Sequence, residues 1–252
     1  MVNYNENEIF DIMEVCLLAG KIMLRSGAET YRVEDTMMRI GSAYGVEKSH
    51  SYVTPTGIIF SVSSKTPTQL VRIEDRSTDL QKVEKVNSIS REISNGELSV
   101  EEAYKQLKVI EQAAHAYPIW VQIAAASISS GCFLIMFNGG WSDFLPAVIA
   151  AGIGFSSLIY FHQLVEIKFF AEFLASFVIG LLAVLMVTLN IGTELDKIII
   201  GSVMPLVPGL LITNAVRDLM AGHLVSGISK GAEAFLTAFA IGAGVAVVFS
   251  IY

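Results

Sequence analysis

Charge is scarce over the second half of this chain. Residues 1–118 carry 13 of the 17 Lys and Arg and 17 of the 24 Asp and Glu, leaving only 4 and 7 for the rest. With a net charge of −7 and no basic tract, nucleic acid is excluded as a partner. Cysteine is almost missing. Cys16 and Cys132 lie far apart, which leaves no disulfide framework and no metal-ligand spacing. His50, His115, His162 and His223 are scattered, so neither a metal nor a cofactor is expected. No phosphate-binding loop occurs: Gly222 and Gly227 have the right separation, but Ile228-Ser229 follows instead of Lys-Ser/Thr. Gly-x-Ser-x-Gly and His-Glu-x-x-His are missing too, so the chain is not expected to be an enzyme. Glu6, Glu8, Asp11 and Glu14 interrupt the N-terminus, where a signal peptide would need an apolar core, and none is expected.

What the chain has instead is apolar bulk: 53% hydrophobic residues and 16% charged, with a mean hydropathy of +0.56. The composition divides it into a water-soluble part, residues 1–116, and a membrane part, residues 117–252. In the first, Ile9, Ile12, Met13, Cys16, Gly20, Met23 and Leu24 recur at helical spacing. Ser26-Gly27-Ala28-Glu29 has the form of a capping box. A second helix carries Val33, Met37, Ile40 and Tyr44 on one face and stops at Gly45. Three short β-branched runs follow, Tyr52–Thr54, Ile58–Val62 and Leu70–Ile73, punctuated by Pro55, Gly57 and Pro67. Asp79–Ser94 is helical again and ends at Asn95-Gly96, and a second capping box, Ser99 to Glu102, opens a last helix. The order αα-βββ-αα predicts a compact α+β domain. Its stretch GAETYRVEDTMMRI crowds Glu29, Arg32, Glu34, Asp35 and Arg39 onto one helix. These charges read either as a self-paired, solvated face or as a docking or gating surface.

The second part has five apolar runs: Ile119–Phe137, Phe144–Phe161, Ile167–Leu189, Ile198–Asn214 and Ala232–Ile251. Their lengths suit helices crossing a hydrocarbon core ~30 Å thick, so an all-α bundle of five transmembrane helices is expected. Lys168, Arg217 and Lys230 fall on one side and Lys197 on the other, which places the N-terminal domain in the cytoplasm. Trp120 and Trp141 sit at run ends, as interfacial anchors do. The spacing Ala238-x-x-x-Gly242-x-x-x-Ala246 lets helices approach closely and is expected to pack inside the bundle, with an oligomer contact as the alternative. Glu172 and Glu233 lie near run ends, at headgroup level. A shift of one turn makes either a buried carboxylate and a candidate proton carrier.

The fourth run is broken by Pro205, Pro208 and Gly209 and is followed by Asn214, Arg217 and Asp218 on one helical face. Proline removes a backbone donor and breaks the helix. In hydrocarbon such backbone is tolerated only against protein or a wet cavity. A broken helix beside a polar cluster suits a transport pathway. The competing reading is a kinked helix ending at the membrane surface, with Arg217 and Asp218 in headgroup water.

Three stretches together carry a family resemblance: GAETYRVEDTMMRI (Gly27–Ile40), the step Arg76–Leu80, and PLVPGLLITNAVRDLMAGHLVSGISKGAEA (Pro205–Ala234). On these the chain resembles the bacterial threonine/serine exporter family over essentially its whole length. The resemblance implies a cytoplasmic domain followed by a membrane bundle. It also implies efflux of small hydrophilic metabolites, either hydroxy amino acids or, in a two-subunit branch, dicarboxylates such as succinate, coupled to the proton gradient. Full-length members carry about twice as many membrane helices. The chain therefore resembles the larger subunit of a split exporter, with a second small transmembrane subunit as partner and a homo-oligomer as a further arrangement. In that reading the Pro205–Pro208–Gly209 break exposes carbonyls and helix ends to substrate. Asn214 hydrogen-bonds the substrate, Arg217 holds its carboxylate in a bidentate pair, and Asp218, Glu172 or Glu233 takes the coupled proton. The alternative is a membrane-anchored sensor or scaffold whose cytoplasmic domain does the work.

Overall fold

The computed structural model describes residues 6–46, 48–62, 67–113, 117–165 and 167–251. It resolves into two compact units. The first joins residues 1–116 to Leu210–Gly231; the second takes Tyr117–Gly209 with Ala232–Tyr252. The segment Leu210–Gly231, read from sequence as part of the membrane half, thus packs with the N-terminal unit.

The N-terminal unit follows the expected element order. Helices α1 (Glu6–Arg25) and α2 (Thr30–Ala43) precede strands β1 (His50–Thr54), β2 (Gly57–Ser61) and β3 (Gln69–Arg72), then α3 (Leu80–Ser94) and α4 (Val100–Gln112). Helix α1 is the core of this unit, packing against α2, α3, α4 and β2. Ile12, Met13, Cys16 and Met23 on it are essentially inaccessible. Burial pushes the Cys16 thiol up to about 12, so this cysteine is an inert apolar filler. The sheet is antiparallel in the order β1-β2-β3, with Val53 opposite Ile58 and Ile58 opposite Val71. Alternation sends Val53, Ile58 and Phe60 into the core and leaves Tyr52, Ile59 and Leu70 exposed.

Two of the predicted stops are present: Gly45 and Gly96 both take positive φ after their helices. The Ser99–Glu102 capping box is formed in both directions. The Ser26–Glu29 box is not. Gly27 has φ +88°, and the N–H of Ala28 bonds the carbonyl of Met23 at 3.0 Å while that of Gly27 bonds Leu24 at 3.3 Å. This is a Schellman stop for α1. The same residues cannot also be the first turn of a new helix, so α2 begins three positions beyond Gly27, with Glu29 as N-cap.

The second unit contains α5 (Ile119–Met136), α6 (Trp141–Leu164), α7 (Lys168–Thr188), the short α8 (Leu195–Val203), a 3-10 turn at Met204–Leu206, and α10 from Ala232 on. Helix α9 (Gly209–Met220) and the start of α10 (Leu224–Ile251) belong to the first unit. Among the described residues four helices are long and apolar enough to span a membrane, α5, α6, α7 and α10. A fifth span is counted if the bent pair Leu195–Leu206 and Gly209–Met220 is one crossing.

Short α8 packs against α5, α6 and α7. A Cβ on its Gly201 would lie 3.0 Å from the Ser130 carbonyl of α5, so the backbones nearly touch, as small residues allow. Asp143, fully buried at the start of α6, accepts from Thr193 Oγ1 at 2.8 Å and the Glu194 N–H at 3.3 Å. It thereby fixes where α8 starts. The Ala238–Gly242–Ala246 spacing does not pack inside the bundle as expected: these residues lie on the outer face of α10. The inner face is Ala234, Thr237, Ile241, Gly244 and Val248.

Two glycines give a contrast that tests this description. Gly27→Ala places a Cβ in a left-handed conformation and is expected to cost about 1–2 kcal/mol. Gly209→Ala meets nothing within 4 Å and is expected to leave the thermal unfolding midpoint unchanged. Thermal unfolding of the solubilised protein reads both.

Candidate functional site

The broken run and the charged helix, 188 residues apart, meet inside the N-terminal unit. The start of α2 has backbone donors with no partner in their own helix, and the positive end of a helix favours an anion. Asp218, on α9, supplies that anion. Its Oδ1 accepts from the Thr30 N–H at 2.9 Å and its Oδ2 from the Thr30 hydroxyl at 2.9 Å. Lys230, on α10, completes the group: its ammonium donates to Asp218 Oδ2 at 2.7 Å and to Thr30 Oγ1 at 3.2 Å. The Asp218 and Lys230 side chains are 0% and 4% exposed, so this is a sealed ion pair.

The neighbouring contacts repeat the pairing. Asn214 donates from Nδ2 to the Gly27 carbonyl at 2.8 Å. Arg217 donates from Nη1 to Glu29, and Arg32 approaches the other oxygen of Glu29 at 3.5 Å. The Arg217 side chain keeps 54% of its surface while Glu29 is buried. Farther along α2, Glu34 accepts from the Val53 N–H at 2.9 Å, and Ser226 of α10 donates to the Val53 carbonyl at 3.0 Å. Strand β1 is at the sheet edge, so these two side chains cover backbone groups that would otherwise invite another strand. His223 Nδ1 lies 3.8 Å from the other Glu34 oxygen. Burial raises Glu34 above the ordinary carboxylate value, against the lowering effects of the Val53 N–H and His223.

The stretch Arg217–Lys230, which lies between the fourth and fifth apolar runs, is mostly helical. Only Ala221, Gly222 and His223 turn, with Gly222 at φ +87°. Of the α2 charges, Asp35 pairs with Arg39 on the surface as expected. Glu29 and Glu34 are turned to α9, β1 and the α9–α10 turn instead. Thr30, His223, Ser226 and Lys230 were not anticipated as members of the group. The one available signal was Lys230 itself, a lone cation among small residues twelve positions after Asp218.

At the break, the Val207 N–H closes the 3-10 turn onto Met204 at 3.1 Å, and Pro208 precedes the first residue of α9, Gly209. Glu172 and Glu233 belong to a separate polar group in the membrane unit. Glu172 is buried, at 5% exposure, beside buried Thr237. Glu233 pairs with Lys168 at 3.1 Å.

An α+β unit combined with a bundle of membrane-length apolar helices, one of them short and broken, defines a multi-pass membrane protein. The family model for threonine/serine exporters (ThrE) matches residues 14–252, and the chain belongs to that family. It is 26% identical to the "Probable succinate transporter subunit YjjP" of Klebsiella aerogenes over 96% of this chain and 94% of that protein. The protein of the same name from Escherichia coli K12 matches at the same identity and coverage. It is also 26% identical to the threonine/serine exporter of Corynebacterium glutamicum, covering 96% of this chain but 51% of that protein. No solved structure matches.

Asp218→Asn leaves Lys230 buried without a counter-charge and is expected to destabilise the protein by roughly 3–5 kcal/mol. The double change Asp218→Leu with Lys230→Met is expected to recover most of that loss, read as thermal unfolding midpoints. Glu34 gives a pH prediction. Its folded-state value lies above its ordinary one, so the folded state binds the proton more readily. Stability is expected to fall as pH rises from its ordinary value of 4.5 through the raised one. Glu34→Gln is expected to flatten the unfolding midpoint across that window.

Proposed function

We propose that this chain is a subunit of a secondary exporter for small carboxylate-bearing metabolites, threonine and serine or a dicarboxylate such as succinate, coupled to protons and not an enzyme. The observation that carries this reading is α8. Nine residues at ~1.5 Å each reach about halfway through a ~30 Å core. The helix is enclosed by α5, α6 and α7 and ends in the turn at Met204–Leu206. A half-helix ending within a bundle turns carbonyls and a partial negative charge toward whatever lies there. Transporters use this feature to hold substrates and ions.

In this reading Pro205, Pro208 and Gly209 keep the break open, and Asn214 and Arg217 take the substrate. Arg217 is the exposed member of its pair with Glu29, so a substrate carboxylate can compete for its guanidinium. Asp218, Glu172 and Glu233 are the candidate proton carriers. Five crossings suit the packing of α7 and α10, which run in the same direction: Lys168 meets Glu233 at one level and Gly180 faces Val248 at another. The chain between them then has to return across the layer, and α8 begins that return. Arg217 and Lys230 fold with the N-terminal unit, which supports a cytoplasmic position for that unit by the positive-inside rule and, with it, a location in the cell membrane. The chain spans about half the length of the Corynebacterium exporter it matches, and its similar-length relatives are called subunits. A second small transmembrane subunit is the partner this implies, with a homo-oligomer as the alternative assembly.

One observation favours a working role for the N-terminal unit: it holds the arm that follows the break. A sensor or scaffold reading rests on that, and gating reconciles it with transport.

Efflux of labelled threonine, serine and succinate from cells expressing the chain, with and without a candidate small subunit, tests the proposal. Arg217→Ala is expected to reduce partner-dependent efflux roughly tenfold or more, the worth of a charge-assisted contact at ~1.5–3 kcal/mol. Glu29→Gln removes the same ion pair but keeps the guanidinium, and is expected to retain efflux. Replacing Pro205 and Pro208 together with alanine is expected to abolish it. Unchanged efflux in that double variant, or equal losses in Arg217→Ala and Glu29→Gln, would overturn the assignment of the site.

A further inference from the structure

The three carboxylates proposed to carry the proton sit in unlike surroundings. Asp218 accepts from a backbone N–H, a hydroxyl and an ammonium. Glu233 is held by Lys168 at 3.1 Å. Glu172 is different: it is 5% exposed, and its Oε2 makes no hydrogen bond of normal geometry. Thr237 beside it is 1% exposed, and its hydroxyl, equally without a well-formed bond, is the polar group that faces the carboxyl. A buried carboxylate left with a bare oxygen is costly, and such groups are placed where a proton or ion is to be bound.

The four side chains form two rungs. Lys168 and Glu172 are one turn apart on α7, and Glu233 and Thr237 are one turn apart on α10. Lys168 meets Glu233 across the interface, and Glu172 faces Thr237. Lys168 is thus within one helical turn of both carboxyls. The other titratable group nearby is His162, at the C-terminal end of α6, within electrostatic reach of Lys168. Accessibility grades along the set: the Lys168 and Glu233 side chains are 47% and 22% exposed, whereas Glu172 and Thr237 are sealed.

We propose that Glu172 and Glu233 form a two-carboxyl proton relay in which the Lys168 ammonium moves opposite to the proton. This rests on the transporter reading for its purpose but not for its chemistry. At the start of the exchange the proton is on Glu172, with its O–H toward Thr237 Oγ1, and Lys168 neutralises Glu233. In the exchange the O–H bond on Glu172 breaks and one forms on Glu233, while Lys168 passes from Glu233 to Glu172. One proton and one ammonium are shared by two carboxyls before and after, so no net charge is carried into the apolar interior. Glu233, the more exposed carboxyl, then gives the proton to water.

The test uses the purified full chain and dicyclohexylcarbodiimide, an apolar reagent that attacks protonated carboxyls, with the modified residue located by mass spectrometry. Labelling is expected on Glu172, to decline as pH rises, and to vanish in Glu172→Gln. Lys168→Met removes the cation that stabilises an ionised Glu172, so the labelling midpoint is expected to rise. Glu233→Gln frees Lys168 for Glu172, so the midpoint is expected to fall. Each shift is roughly one pH unit or more, as a single charge at this range produces. His162→Gln is expected to leave the order of the midpoints unchanged. No label on Glu172 in protein that elutes as a folded species, or midpoints that move the same way in Lys168→Met and Glu233→Gln, overturns the relay. A correct labelling pattern with no efflux of threonine, serine or succinate leaves the relay standing and removes the transporter reading instead.

Discussion

The N-terminal unit depends on one carboxylate, that of Asp218. An ion in a place closed to water is unfavourable by several kcal/mol unless its surroundings replace the lost hydration. Here they do, from three sources: the end of α2, the Thr30 hydroxyl and Lys230. The contacts are mutually required. Lys230 is as buried as Asp218, Thr30 serves as both donor and acceptor, and α2 begins where its first N–H finds this acceptor. Moving α9 without α2 and α10 would leave two opposite charges unpaired together.

Two of the buried carboxylates, Asp218 and Glu172, contrast instructively. Asp218 is over-provided with donors, Glu172 under-provided. The first carboxylate is fixed by partners from two other helices, and the second has little to hold it. Sequence placed both residues among proton carriers because an aspartate after a break and a glutamate in an apolar run look alike as strings. Only the partners separate them, and the partners of Asp218 come from positions 30 and 230.

Much of the fold was legible from period alone. The helix and strand order of residues 1–116, the apolar runs and the break at Pro205–Pro208 follow from spacing and from what proline forbids. What was misread turned on long-range competition. Ser26-x-x-Glu29 is a proper capping signature, but Gly27 takes a left-handed conformation that ends α1 instead, and Arg217 claims the Glu29 carboxylate from 188 residues away. The stretch Arg217–Lys230 carries polar groups whose partners lie far away in sequence. Its polar groups are satisfied inside the protein, so nothing prevents it from being helical almost throughout. The Ala238–Gly242–Ala246 seam was a true pattern of small residues on the wrong side of α10 for the bundle core.

Within the polar arm, the energetics single out Arg217 as the member able to change partners. Asp218 and Lys230 are sealed, so separating either from the other exposes the full cost of a buried charge, ~3–5 kcal/mol. Arg217 retains half its surface, so its side of the pair stays hydrated and its release leaves no buried guanidinium behind. Glu29, moreover, already has Arg32 on its second oxygen. If another carboxylate drew the Arg217 guanidinium away, Glu29 would keep a cation and α2 would keep its N-terminal anion in Asp218. The exchange would replace one weak pair with another while the lock beside it stayed shut. Among the described cations of this arm, Arg217 is thus the one that can exchange its partner without opening the buried Asp218–Lys230 pair.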